Sequence, residues 1–107
     1  MFSLSDESNL SDLGGGVSRK ILAHDERMMC VEVHFKEGAV GASHSHPHSQ
    51  ISYVLEGEFE ATLGDLTRII RKGDTYITEP NLVHGVKCLK EGILLDVFTP
   101  RRDDFLS

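Results

Sequence analysis

Residues 41–58 read GASHSHPHSQISYVLEGE, and two patterns overlap in them. The second half alternates, with Ile51, Tyr53 and Leu55 on one side of an extended chain, because successive strand side chains point to opposite faces. The first half puts His44, His46 and His48, half of the chain's six histidines, within five residues. In an extended segment His44 and His46 point the same way and can converge on one point. The stretch reads as a β-strand that begins beside a cluster of imidazoles.

Outward from it, the same two-residue period continues. In "RMMCVEVHFKEG", Met29, Val31, Val33 and Phe35 share one face and Cys30, Glu32 and His34 the other. "EFEATLG" and "LTRIIRKG" flank a Gly-Asp pair, which is a hairpin signal. "VSRKILA", "GDTYITEP", "VHGVKCLKEG" and "GILLDVFTP" complete a set of roughly eight short strands separated by turns. No window of a dozen residues has helical periodicity. The pattern predicts an all-β sandwich or barrel, with a jelly roll among the closures open to it. Residues 1–16 are polar and end in three glycines, and read as an N-terminal arm with a flexible lead into the first strand. Residues 17–107 form the β domain and its C-terminal tail.

A chain of 107 residues is one domain by size, long enough to bury a core without disulfides. Its formal net charge is −6, and no basic stripe is present to neutralise phosphates, so nucleic acid is not an expected partner. The acidic balance does not exclude an anionic small molecule, since a local pocket can be positive on a negative protein. Cys30 and Cys88 lack metal or redox spacing and read as reduced thiols, which fits a cytoplasmic protein. The N-terminal stretch has no basic start and no long apolar run, and no later segment is long enough to span a membrane.

Two convergent imidazoles are half of a metal site. Gln50 is near enough to supply a third ligand and His84, in "PNLVHGV", a fourth from another strand. A surface His-rich loop without metal fits "HSHPH" by itself equally well. His48 reads as a supporting or exposed residue, and His24 and His34 have no partners at ligand spacing. The tail "GILLDVFTPRRDDFL" carries a second oddity. Asp96 lies between Leu94 and Phe98 on one parity of an apolar strand. A carboxylate there is costly unless paired or functional, and a dry pocket would raise its pKa to suit a general acid or base. A barrel-mouth Asp tied to arginine is the plainer alternative. Arg101 and Arg102 follow, either as a carboxylate clamp or as a basic turn offset by Asp103 and Asp104.

The run from Gly38 to Gly57 (glycine, five residues, His44, one residue, His46, three residues, Gln50, six residues, glycine) resembles the first conserved motif of the cupin superfamily. The usual glutamate is replaced by Gln50. "GDTYITEPNLVHGVKC" is similar to the second motif, with Asn81 where glycine is common and Cys88 where asparagine is common. The resemblance implies a cupin-type jelly-roll β-barrel holding one divalent transition metal ion on His44, His46, Gln50 and His84. Because Gln50 and neutral imidazoles bring no charge, the ion would keep its full charge and act as a strong electrophile. Ni, Zn, Fe, Co and Mn all suit such ligands.

"DLGGGVSRKIL", "MMCVEVHFKEGAVG", "HSHPHSQISYVLEGEFE", "PNLVHGV" and above all "GILLDVFTPRRDDFL" resemble the small single-domain cupins of the pectin degradation protein (KdgF) family. That resemblance implies metal-dependent linearisation of 4,5-unsaturated monouronates from pectin or alginate to 4-deoxy-5-keto-uronates. It assigns catalytic roles to Asp96, Phe98 and Arg102 and implies a homodimer. The alternatives are another metal-dependent cupin enzyme, such as a dioxygenase or sugar isomerase, and a non-catalytic sugar-binding cupin.

Overall fold

The structure, a computed structural model, describes all 107 residues. Its strands are β1 (Ser11–Gly14), β2 (Val17–His24), β3 (Met29–Phe35), β4 (Val40–His44), β5 (Ser49–Leu63), β6 (Leu66–Arg71), β7 (Thr75–Thr78) and β8 (His84–Thr99), with 3-10 turns at Ser5–Glu7 and Asp103–Phe105. Every pairing is antiparallel. β5 and β8 pair along nearly their whole length and bend together, so their halves serve two layers. One layer runs β1, β2, β3, the C-terminal half of β8, the N-terminal half of β5, then β7. The other runs β4, the N-terminal half of β8, the C-terminal half of β5, then β6. The fold is an all-β barrel of two antiparallel layers, as the strand pattern predicts.

The sequence divides each long strand in two, at Gly57 and at Gly92. Both glycines instead lie inside strands, facing one another where β5 and β8 bend. Gly57 has φ +84°, and a β-carbon there would sit 2.5 Å from the Lys90 carbonyl oxygen. One on Gly92 would overlap the Glu56 carbonyl oxygen. Only residues without a β-carbon let the two backbones cross this closely. The accompanying bulge, between Val54 and Phe59, switches parity. Gln50, Ser52 and Val54 are buried before it, Phe59 and Ala61 after it.

The glycine run at 14–16, expected as an open lead, is instead the turn of the β1–β2 hairpin, with all three residues at positive φ. The Gly64-Asp65 hairpin forms as expected, with Leu63 opposite Leu66. Phe35, Val54, Phe59, Ala61, Ile70, Cys88 and Leu94 make the main core, with Phe35 edge-on to Phe59 at 5.2 Å. Met29, Val31 and Phe98 make a smaller cluster at the other end. Cys30 and Cys88 are free thiols, and no helix is long and apolar enough to cross a membrane.

Candidate metal centre and its cavity

β4 ends on His44 and β8 begins with His84, and the two are directly paired across the ladder. Their ring centroids are 4.4 Å apart, and His46, in the bend after β4, lies 5.4 Å from His44 and 4.7 Å from His84. One ring nitrogen from each falls within 4.8 Å of the others. The bend is pinned by the Asn81 N–H, which donates to the His46 carbonyl oxygen at 2.7 Å. Asn81 holds a left-handed conformation with φ 67°, which explains an asparagine where glycine is common, since both residues tolerate that region.

His44 and His84 each hold one ring nitrogen free for a cation. His44 Nδ1 donates to the Ala42 carbonyl oxygen at 2.8 Å, and His84 Nδ1 to that of Leu82 at 2.8 Å. A carbonyl only accepts, so Nδ1 carries the hydrogen in both rings and Nε2 keeps its lone pair. His84 Nε2 is buried without a hydrogen-bond partner. Such an orphan is costly in a finished core and fits a donor meant for a cation. Burial, aided by the charge of Arg102, lowers the pKa of His46, and burial is also the main cause of the lowered pKa of His84. Both therefore favour the neutral form that binds metal. Gln50 Oε1 lies 3.0 Å from His46 Nε2, about the spacing of two donor atoms bonded at a right angle to one ion at about 2.1 Å. Three neutral imidazoles and an amide oxygen fit a divalent transition ion.

A buried polar chain leads away from this cluster. Gln50 Nε2 donates to Ser52 Oγ at 3.0 Å, and Ser52 Oγ donates to Asp96 Oδ1 at 2.6 Å. Ser52 and Asp96 are direct cross-strand partners. The chain runs in one direction only because Gln50 is an amide. A glutamate there could not donate to Ser52, whose own hydrogen is committed to Asp96. Burial pushes the Asp96 carboxyl up to about 6, against the opposing pull of the Ser52 and Gln50 hydrogen bonds and the charge of Arg102. Tyr76, opposite Ser52 on β7, is a partly buried phenol whose pKa burial raises, so it keeps its hydrogen.

These groups border a cavity of about 320 Å³ whose polar wall includes His44, Gln50, Tyr76, His84 and Asp96. That is near the low end for small-molecule sites, which run about 300–1,000 Å³. His46, Phe98 and Arg102 do not line it. Phe98, opposite Gln50 in the ladder, is edge-on to His46 at 5.8 Å. Arg102 is buried, with its Nε and Nη2 donating to the two carboxylate oxygens of Asp104 at 3.0 and 2.8 Å. Arg101 pairs with Asp103 at 2.8 Å. His48 Nε2 donates to the Arg101 carbonyl oxygen at 3.2 Å and so ties the His bend to the tail. Asp103 and Asp104 offset the two arginines, but Arg102 is buried, so the turn is not a solvated one.

Sequence reasoning missed three residues of the site, Ser52, Tyr76 and Arg19. Ser52 is fully buried on the parity of Gln50, the polar face of a strand whose apolar residues Ile51 and Tyr53 turn outward and stay about half exposed. Arg19 lines the cavity with Val17 on β2. The alternation in "VSRKILA" could have shown it, because Arg19 shares the parity of Val17 and Ile21.

A cupin domain family model matches residues 31–98. The chain is 44% identical over 105 residues to the pectin degradation protein KdgF of Dickeya dadantii (strain 3937), covering 96% of each. Its fold is similar to the solved structure of KdgF from Halomonas sp., with a TM-score of 0.94 and 38% identity over 98% of this chain and 97% of that one. An RmlC-like cupin from Shewanella frigidimarina NCIMB 400 matches with a TM-score of 0.94 and 39% identity, over 97% and 94% of the two chains.

Proposed function

The chain belongs to the KdgF family of cupins, and on that premise we propose that it opens the ring of 4,5-unsaturated monouronates from pectin or alginate to give 4-deoxy-5-keto-uronates. His44, His46, Gln50 and His84 would hold the divalent ion. When bound, such an ion supplies Lewis-acid stabilisation of negative charge on a departing oxygen.

The substrate is a cyclic hemiacetal whose ring oxygen is part of a C4–C5 enol ether. Asp96, as carboxylate, takes the anomeric hydroxyl proton while the bond from C1 to the ring oxygen breaks. C1 becomes an aldehyde, and the oxygen stays on C5 as an enolate. Asp96 then returns the proton to C4, leaving a ketone at C5. No atom is gained or lost, so the reaction is an isomerisation. A carboxyl held near 6 suits a group that takes and gives a proton close to neutral pH. Phe98 fixes the His46 ring, and the positive field of Arg102 favours ionised Asp96. In this reading the protein acts in the cytoplasm as a homodimer.

The observation that carries the proposal is the unbroken chain Gln50–Ser52–Asp96, joining the imidazole cluster to a buried carboxylate on a cavity wall. The test is the ultraviolet absorbance of the enol ether, which disappears on ring opening. Metal-loaded protein should abolish it faster than buffer alone, and Asp96→Asn should not. Equal rates for the two proteins would remove Asp96 as the proton carrier. Oxygen uptake without loss of the enol ether would mark an oxidative cupin instead.

A further inference from the structure

Among the side chains lining the cavity, Arg19 is the one Lys or Arg and Asp96 the one Asp or Glu. Arg19 stands opposite Val33 in the β2–β3 ladder, on the inward parity where its neighbours Val17 and Ile21 pack against the core clusters. A guanidinium in an apolar row costs desolvation energy. Burial and the nearby positive charge of Arg102 both lower the Arg19 pKa, with Asp104 acting in the opposite direction.

The two arginines differ in how they are neutralised. The arginine ion pairs of the molecule are those of Arg27, Arg71, Arg101 and Arg102. Arg102 is bound through two nitrogens to Asp104, whereas Arg19 makes no ion pair and feels Asp104 only as a more distant charge. What holds Arg19 is a ring: its Cζ lies 3.9 Å from the Phe105 centroid. Arg102 stacks on the same ring, with Cζ 4.2 Å from the centroid. A stacked guanidinium keeps its in-plane N–H donors free, and that planar fork matches the two oxygens of a carboxylate. The cavity thus holds a cation outside any ion pair, facing the same space as the imidazole cluster and Asp96.

We propose that Arg19 binds the carboxylate of an acidic monosaccharide in this cavity. The inference rests on reading the cavity as a uronate site, and assigns the carboxylate to Arg19 and not to the tail arginine whose fork Asp104 occupies.

The test compares D-galacturonate with D-galactose, which differ only at C6, by calorimetric titration of metal-loaded protein. Wild type should prefer galacturonate by about ten- to a hundredfold, the range of a charge-assisted pair. Arg19→Gln should lose that preference while staying folded with metal content unchanged, and Arg19→Lys should recover part of it. On the unsaturated uronate, Arg19→Gln should raise KM with little change in kcat. Absence of the preference in wild type, or its survival in a folded, metal-loaded Arg19→Gln protein, would overturn the proposal. If Arg19→Gln is unstable, Arg19→Lys decides: an undiminished preference argues for a point charge at the site, against the fork. Should wild type leave unsaturated uronate intact while the galacturonate preference still depends on Arg19, ring opening fails and the carboxylate site stands. The reverse pattern sinks Arg19 and leaves ring opening intact.

Discussion

The two halves of β5 face the same barrel interior and fill it in opposite ways. Beyond the bulge, Phe59 and Ala61 pack with Phe35, Ile70 and Cys88 into an apolar core. Before it, Gln50 and Ser52 turn inward while Ile51 and Tyr53 turn to solvent. The first arrangement follows the hydrophobic effect. The second inverts it, and stands because every step from Gln50 to Asp96 is hydrogen-bonded. One half supplies stability, and the other gives some up to keep a carboxylate and an unpartnered imidazole nitrogen at a cavity. Such trade-offs are common where a site needs groups a core would exclude.

Asp96→Asn should break this comparison most sharply. Turnover should drop about a hundred- to ten-thousandfold, the usual range for a general acid–base group, with metal content preserved. The same change should stabilise the metal-free fold at pH 8. Asp96 releases its proton near 6 when folded, against 3.8 for the free side chain. The folded state therefore carries the charge penalty in full above about pH 6, sheds it as pH falls from there, and carries none below 3.8. A rise of that size corresponds to about 3 kcal/mol. Melting curves of wild type and Asp96→Asn should differ at pH 8 and converge near pH 4.

Phe59→Ala, in the apolar half, should cost about 3–5 kcal/mol in denaturant unfolding. Its surviving folded fraction should still bind metal, since Phe59 packs in the core cluster that contains none of the histidines. Gln50→Glu should bind metal more tightly and turn over more slowly. It adds a charge to the ion but removes the N–H that orients Ser52. Metal-competition titration beside the absorbance assay checks both directions. The smallest effect is expected at Asn81, where alanine should cost about 1–2 kcal/mol of thermal stability and glycine nearly nothing, given the left-handed backbone.

Much of the fold and the site is legible in the sequence for local reasons. The two-residue spacing of His44 and His46 suggests that they converge, and they do, although His46 lies in the bend after β4 and is set there by Asn81; a ladder pairing that parity cannot see brings His84 to them. Asp96 is conspicuous because its neighbours at Leu94 and Phe98 are apolar. The bend of β5 and β8 is not legible, because a glycine inside a strand and a glycine between strands look alike in sequence. Only the close approach of Gly57 to Gly92 distinguishes them. Ser52 is hidden for a related reason. The rule that apolar residues face inward points at Ile51 and Tyr53, and the polar lining of the cavity reverses it. Arg19 is readable by parity but sits in a strand with no other sign of chemistry.

Metal-dependent turnover tests the central claim most directly. The absorbance of unsaturated uronate should be followed with wild-type protein as isolated, after a chelator, and after a divalent transition ion is restored. Loss of activity with chelation, recovery with metal, and no recovery for Asp96→Asn are the expected results. Undiminished turnover in protein shown by elemental analysis to be free of metal would contradict a reaction built on the three histidines and Gln50.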